Sequence, residues 1–435
     1  MPASSSSNDV VVPSPVAIPE QDLQDLLHRL AITRWPDRET VGDTSQGPQL
    51  DRIRALCDHW ATGYDLRRTE RAINSFGSSR TVLDGLGVHF LHVRSAEPGA
   101  APLLLCHGWP GSILEFRHLI GPLTDPVAHG GNAEDAFHVV IPSMPGFGFS
   151  DKPTTTGWNI SRVADAWITL MQRLGYDSWF AQGGDWGAAV VEQISRKAPE
   201  RSRGIHFNLP LVFPTPQEMS SATGEEQQMM ARTRRYQSEL DGYAREQATR
   251  PQTIGYSLAD SPTGLAAWIY TLFQDVTDSD GNPEKVIDRD EILDDIMLYW
   301  LPNAAASSAR LYWEDRQSNA MSAGSWGPNP VPAGFSIFPS EAVQASRRWI
   351  EARYETVLHY AQLDRGGHFA ALEQPGILTD QIRTTFRPAR ASSPGPAAVA
   401  WEAQLAHQHD DTLDVIVNDK APQSLLDVFG VYRDV

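Results

Sequence analysis

Apolar and polar positions along this chain follow two rhythms, and the places where one gives way to the other divide it into parts. Apolar residues recur at helical spacing around Glu20–Leu30 and Leu50–Trp60, predicting two amphipathic helices. Thr81–Val93 centres on Asp84-Gly85-Leu86-Gly87, which predicts a β-hairpin. From Pro102 short apolar runs alternate with helical patterns: Leu103–Cys106, Ile113–Leu123, Phe137–Ile141, Val163–Leu174, Trp179–Gln182, Trp186–Lys197 and Gly204–Asn208. Runs apolar on every position suit strands buried on both faces, so the expected class is α/β, a mostly parallel sheet with helices on both sides.

The alternation stops near Leu209. From there to about Trp326 the chain is helical, Gln-rich and aromatic, and it ends in the Gly/Pro cluster Trp326-Gly327-Pro328-Asn329-Pro330. This predicts a helical insertion, a lid over the C-terminal edge of the sheet. Strand patterns resume at Gly334–Phe338 and Val357–Ala361, and a last helix lies within Leu372–Phe386. The expected divisions are a disordered N-terminus (1–18), an N-terminal segment (19–100), a first core part (101–208), a lid (209–330), a second core part (331–388) and a tail without an assigned role (389–435). The tail starts Ala/Ser/Pro-rich and includes the apolar stretch Leu425–Val431.

Composition narrows the function. The 435 residues, 41% hydrophobic and 21% charged, can bury a large core. A net charge of −18 with no Lys/Arg stripe argues against nucleic-acid or anionic-membrane partners. Two cysteines, Cys57 and Cys106, cannot build a disulfide framework and suit a reducing cytoplasm. Met1–Pro15 is Ser-rich and lacks the basic and apolar regions of a signal peptide, and no window approaches the roughly eighteen apolar residues of a membrane span. A cytoplasmic protein without membrane contact is expected.

Candidate chemistry begins at Gln182-Gly183-Gly184-Asp185-Trp186-Gly187-Ala188-Ala189. The small residues are those of a sharp strand-to-helix turn that presents a nucleophile, with an aspartate where a serine hydrolase carries serine. A carboxylate attacking an ester only exchanges acyl groups, whereas on a saturated carbon it forms an alkyl ester that water can cleave. Asp185 therefore selects epoxides or alkyl halides over esters, against the simpler role of a cap on the helix Trp186–Lys197. Cleaving the ester needs a base, and His368 follows the strand Val357–Ala361 in the loop Arg365-Gly366-Gly367-His368-Phe369-Ala370. A carboxylate between nucleophile and histidine should orient it, Glu341 or its rival Asp364. The loop His107-Gly108-Trp109-Pro110-Gly111 follows the first core strand, so the Trp109 and Trp186 amides can form an oxyanion hole. Epoxide opening also needs a proton donor, for which the lid holds Tyr236, Tyr243, Tyr256, Tyr270, Tyr299 and Tyr312, with periodicity unable to choose among them.

Three further patterns carry plain structural readings. His407-Gln408-His409-Asp410-Asp411 reads as a solvated polar run. Asp275–Gly281 has its glycine misplaced for a calcium loop, and the sequon Asn159-Ile160-Ser161 has no role in a chain not expected to be secreted.

Taken together, Arg34-Trp35, Trp60 to Arg67, His107 to Ser112, Gly183 to Gly187, Asp260 to Trp268 and Gly366 to Phe369 resemble the microsomal-type epoxide hydrolases, over about Pro19 to Pro388. The resemblance implies an α/β-hydrolase fold and an enzyme that converts an epoxide and water to a vicinal diol. It implies Asp185 as nucleophile, His368 as base, Glu341 in Phe338-Pro339-Ser340-Glu341 as orienting acid, and Tyr243 and Tyr312 as proton donors. Neither metal nor cofactor is implied, and the substrate class is a small apolar epoxide, with Trp268, Phe273, Trp300 and Trp313 suggesting aryl groups. A membrane anchor like that of the vertebrate enzymes is not expected, and the tail leaves a homodimer open. The alternatives are a haloalkane dehalogenase, which shares the Asp elbow, and a non-enzymatic small-molecule receptor on the same fold.

Overall fold

The all-apolar runs become the middle of a sheet. In the computed structural model, which describes residues 10–318 and 327–391, Leu103, Leu104, Leu105 and Cys106 are all buried in one strand. The strands are β1 (Val12–Pro13), β2 (Ser78–Leu83), β3 (Leu86–Val93), β4 (Ala101–Cys106), β5 (Phe137–Pro142), β6 (Trp179–Gly183), β7 (Ser202–Phe207), β8 (Ala333–Ile337) and β9 (Val357–Gln362). Among the described residues they form one sheet in the order β1-β2-β3-β5-β4-β6-β7-β8-β9. Pairing is antiparallel from β1 to β5 through β2 and β3, and parallel from β5 onward. The hairpin β2–β3 turns at Asp84 and Gly85, both with positive φ (48° and 77°), as a two-residue turn matching strand twist demands.

Two helix pairs cover the sheet. Ile160–Arg173 packs against Asp185–Lys197, and Arg117–Thr124 packs against Pro375–Ala391. Asn159, of the sequon, caps the first of these, its side-chain oxygen accepting from the Arg162 amide at 3.1 Å. The last helix starts later and runs longer than expected, preceded by a short helix at Ala370–Glu373, because Gln374-Pro375 breaks the apolar pattern within Leu372–Phe386.

The N-terminus departs from expectation. Residues 10–18 are not a structureless lead: β1 pairs with β2, Val16 and Ile18 are buried, and Asn74 exchanges two 2.8 Å hydrogen bonds with the Val16 backbone. A two-residue strand in a Ser/Pro-rich stretch leaves no periodicity to read. The helix Arg68–Ser75 was likewise not anticipated. Tyr64, Arg68 and Thr69 converge on buried Asp294 of the helix Arg289–Trp300, and Glu20–Ala31 and Leu50–Thr62 pack on Pro262–Val276. The N-terminal segment thereby straps the lid, which runs in helices from Pro216 to Ser318 and contains no described strand. His407 to Asp411, Leu425–Val431 and the rest of the tail beyond 391 lie outside the described residues.

Candidate active site

Glycine makes the elbow by letting backbones touch. A side chain on Gly183 would strike the Gly187 carbonyl, one on Gly187 would strike the Cys106 carbonyl, and one on Gly108 would overlap Asp185 itself. The chain therefore turns from β6 into the helix Asp185–Lys197 directly over the end of β4, with Asp185 held at φ 50°. That left-handed conformation is strained for a residue with a side chain and persists only where packing enforces it. It sends the carboxylate across to the neighbouring loop, where the Trp109 amide donates to Oδ1 at 2.8 Å, a contact spanning 76 residues that a helix cap would not make.

The loop His107–Gly111 is itself pinned. Buried His107 places Nδ1 2.9 Å from the Gly108 carbonyl and accepts from the Met144 amide at Nε2, and burial lowers its pKa to about 4. The imidazole is therefore neutral and acts as a brace for the amide of Trp109.

Behind Asp185, the turn after β8 and the loop after β9 meet. His368 Nδ1 lies 3.0 and 3.1 Å from the two Glu341 oxygens, and Nε2 lies 3.7 Å from Asp185 Oδ2. Glu341 is fully buried, whereas Asp364, the rival acid, is exposed. Burial disfavours the imidazolium, yet the Glu341 charge and hydrogen bond, with Asp185, outweigh it and raise His368 to about 10. For Asp185, burial raises the pKa, opposed by His368 and by the amides of Trp109 and Trp186. The two shifts describe one coupled unit, in which the proton between them rests on the imidazole, because Asp185 has the amides to stabilise its charge.

A turn at the end of the helix Pro262–Val276 fixes the loops that carry Glu341 and His368. Asp278 accepts from Ser340 Oγ and from the Gly366 amide, each at 2.8 Å, while its own amide donates to Glu373. Glu373 also takes the Phe369 amide, and the His368 amide donates to the Val276 carbonyl at 3.0 Å. The acidic stretch that superficially suggested a calcium loop thus serves as a clamp. Asp278→Ala removes the acceptor shared by the neighbours of Glu341 and His368 and should lower kcat by about 10- to 100-fold with little change in KM, as steady-state kinetics would read.

Aromatic side chains roof the carboxylate. Tyr243 stacks on Trp109 with ring centroids 5.0 Å apart, and Tyr312 meets Trp186 edge-on at 4.8 Å and Tyr243 at 6.0 Å. Both phenols are buried, and burial together with the nearby Asp185 charge raises their pKa values. Tyr236, which no pattern set apart among the six lid tyrosines, joins them, its hydroxyl 2.6 Å from that of Tyr243. The other lid tyrosines are committed elsewhere: Tyr299 donates to the Gly111 carbonyl, Tyr270 reaches Glu284 and Tyr256 is 71% exposed. Of the four aromatics expected to signal an aryl substrate, Phe273 stacks on Phe369, Trp268 donates to Gln247 and Trp300 lies beneath Arg29, so packing accounts for these three. Trp313 lines a cavity of about 560 Å³ beside Pro145, Trp158 and Arg250.

Comparison with known proteins meets the same features. The model for the epoxide hydrolase N terminus matches residues 11–116, and that for the alpha/beta hydrolase fold matches residues 101–260. A protein assigned as an epoxide hydrolase in Stigmatella aurantiaca (strain DW4/3-1) is 52% identical over 381 residues, 88% of this chain and 86% of its own. Epoxide hydrolase 1 of Sus scrofa is 32% identical over 403 residues, 87% of this chain and 89% of its own. Among solved structures, the juvenile hormone epoxide hydrolase of the silkworm Bombyx mori aligns with a TM-score of 0.81 at 27% identity, covering 88% of this chain and 95% of that one. The Aspergillus niger epoxide hydrolase aligns at 0.77 and 28% identity, covering 87% and 97%.

Proposed function

The chain belongs to the epoxide hydrolases, enzymes here built on the α/β-hydrolase fold, and we propose that it opens its epoxide through a covalent ester on Asp185. The observation that carries this reading is the asymmetry of the carboxylate: Oδ1 is tied to the Trp109 amide, and Oδ2 faces His368 at a distance too long for a hydrogen bond. Oδ2 is then the attacking atom and Oδ1 the oxygen that becomes the ester carbonyl.

Attack of Oδ2 on an epoxide carbon breaks the C–O bond and leaves an alkoxide, which Tyr243 and Tyr312 protonate. Their raised pKa values keep both phenols protonated at neutral pH, so each holds the hydrogen that a forming alkoxide needs. In the second half-reaction His368 takes a proton from water, the water oxygen bonds to the Asp185 carbonyl carbon, and the amides of Trp109 and Trp186 stabilise the oxyanion on Oδ1. Collapse returns the proton to the departing alkoxide and releases a vicinal diol, and the proton left on the regenerated Asp185 carboxyl replaces the one that the phenols gave to the epoxide oxygen. A single turnover in 18O-water should label Asp185 and leave the first diol unlabelled; label in that diol would overturn the covalent route.

Three phenols gathered over the nucleophile favour an epoxide over an alkyl halide, whose departing ion needs no proton. Tyr243→Phe and Tyr312→Phe should each slow ester formation by about 10- to 100-fold while leaving ester hydrolysis nearly unchanged, a split that stopped-flow tryptophan fluorescence can resolve beside Trp109 and Trp186. The rings of Trp109, Trp186, Tyr243 and Tyr312 gathered at Asp185 support an apolar substrate, and turnover of styrene oxide, stilbene oxide and a fatty epoxide would rank the candidates. Cytoplasmic residence is part of the same reading, supported by the buried free thiols of Cys57 and Cys106. No described helix is long and apolar enough to cross a membrane.

A further inference from the structure

The helix that carries Tyr312 has a second working face. On Ala305–Ser318, Ser307, Arg310, Leu311 and Glu314 fall at i, i+3, i+4 and i+7 and share one side, while Ser308, Tyr312 and Asp315 share the opposite one. The Tyr312 side is buried, with its ring against Trp109 and Trp186. The Arg310 side lines the cavity of about 560 Å³ beside Trp313, whose other walls come from the helix Pro251–Asp260 and from the core chain between Pro145 and Trp158. A neighbouring cavity of about 340 Å³ shares Gln252, Ser307 and Arg310 with it and adds Lys152. Neither is lined by Asp185, His368, Tyr243 or Tyr312, so this groove is separate from the reacting carboxylate.

The charges in the groove do not balance. Lys152 and Arg310 line the same cavity, and burial together with the Arg310 charge lowers the Lys152 pKa. Among the described residues neither cation is ion-paired, because the carboxylates at hand are committed: Glu314 to the Gly157 amide at 2.8 Å, Asp260 to Arg29 and Asp151 to Arg80. Arg250, on the wall of the larger cavity, bonds only to the Thr249 carbonyl. Two unpaired cations side by side in a chain of net charge −18 repel each other, and an anion between them turns that repulsion into attraction. Beyond them the walls of the larger cavity turn apolar, at Pro145, Pro153, Trp158, Leu311 and Trp313.

We propose that this groove is a second ligand site, apart from the epoxide site, for an amphiphilic carboxylate whose charged end sits between Lys152 and Arg310 and whose apolar body lies among Trp158, Leu311 and Trp313. Charge complementarity selects the head and the apolar walls select the tail. Small-molecule pockets have this build, mostly apolar with a few convergent polar groups, and fall in this range of volume. A guanidinium can hold a carboxylate through two parallel N–H bonds, to which the ammonium adds a further donor. Lys152 belongs to the core and Arg310 to the lid, so the bound anion ties one to the other. A ligand held only by the folded chain also stabilises it by mass action.

Octanoate is the probe that tests the site. At millimolar concentration it should raise the melting temperature of the protein saturably, by about 2 °C. Octanol, with the tail and no charge, and inorganic phosphate, with charge and no tail, should each give less than about half that shift. Arg310→Gln and, separately, Lys152→Gln should weaken octanoate binding about 10-fold by isothermal titration, the loss of one charged hydrogen-bond donor. Diol formation should stay within about 2-fold of wild type in both, because neither side chain lines the cavity at Asp185. Lys152 is exposed, so its variant keeps the test open if Arg310→Gln folds poorly. Absence of octanoate binding, or an equal shift with octanol or phosphate, overturns the proposal. So does octanoate that competes with the epoxide and binds both variants as tightly as wild type, since it then occupies the reacting site.

Discussion

Asp185→Ala should abolish diol formation, lowering kcat/KM by at least about 10⁴-fold, while the protein remains folded and still binds the epoxide. The size follows from what is removed. Without the carboxylate no ester forms, so neither the proton donors nor the base has a reaction to assist, and residues acting as a unit fail together. Folding should survive, because the elbow is shaped by Gly183, Gly187 and Gly108 and not by the Asp185 side chain. Alanine at φ 50° is no better tolerated than aspartate there, so a modest fall in melting temperature is expected. Isothermal titration with a slowly turned-over epoxide and chiral chromatography of the diol would check both halves of the claim. Retained turnover would overturn the nucleophile; a ligand-dependent response independent of Asp185 would point to a receptor on this fold.

The residues that were readable in the chain share a property: their signal is local. The Gly183-to-Ala188 crowding marks an elbow because the same few residues build it, and Leu103–Cys106 marks a central strand because burial on both faces leaves no polar position. His368 could be placed because the strand Val357–Gln362 ends a few residues before it. The position of Glu341 just past the strand Gly334–Phe338 favoured it over Asp364, but the pattern left the rival standing, since the choice depends on which turn the sheet brings beside the imidazole. The clamping part of Asp278 was missed for the same reason, and Tyr236, one of the six lid tyrosines, could not be singled out. Asp278 meets Ser340 and Gly366 across 62 and 88 residues, and no periodicity in a single chain records such a meeting. The two-residue strand β1 is similar, its partner Arg80 lying far beyond any local window.

His368→Gln should stop the cycle halfway, and that arrest is the second large effect. Esterification needs only Asp185 and the phenols, so mixing the variant with an epoxide should give one equivalent of modified enzyme, a burst without steady turnover, with hydrolysis slowed by about 10³- to 10⁴-fold. Intact-protein mass spectrometry should find the mass of substrate added and peptide mapping should place it on Asp185. On the proposed route the electrostatics would let His368 act as a base only once the ester has formed. In the free enzyme Glu341 and Asp185 together hold His368 in its protonated form, which cannot take a proton from water. Forming the ester removes the Asp185 charge, one of the groups that raise His368, so the imidazole is released for use once there is an ester to cleave. Glu341→Gln tests the other contribution: with that charge gone the imidazolium is less stabilised, and the pH limb of ester hydrolysis should move to lower pH while the rate falls about 100-fold through lost orientation. A shift to higher pH, or a Glu341→Gln enzyme that hydrolyses its ester at the wild-type rate, would mean that Glu341 neither charges nor orients His368.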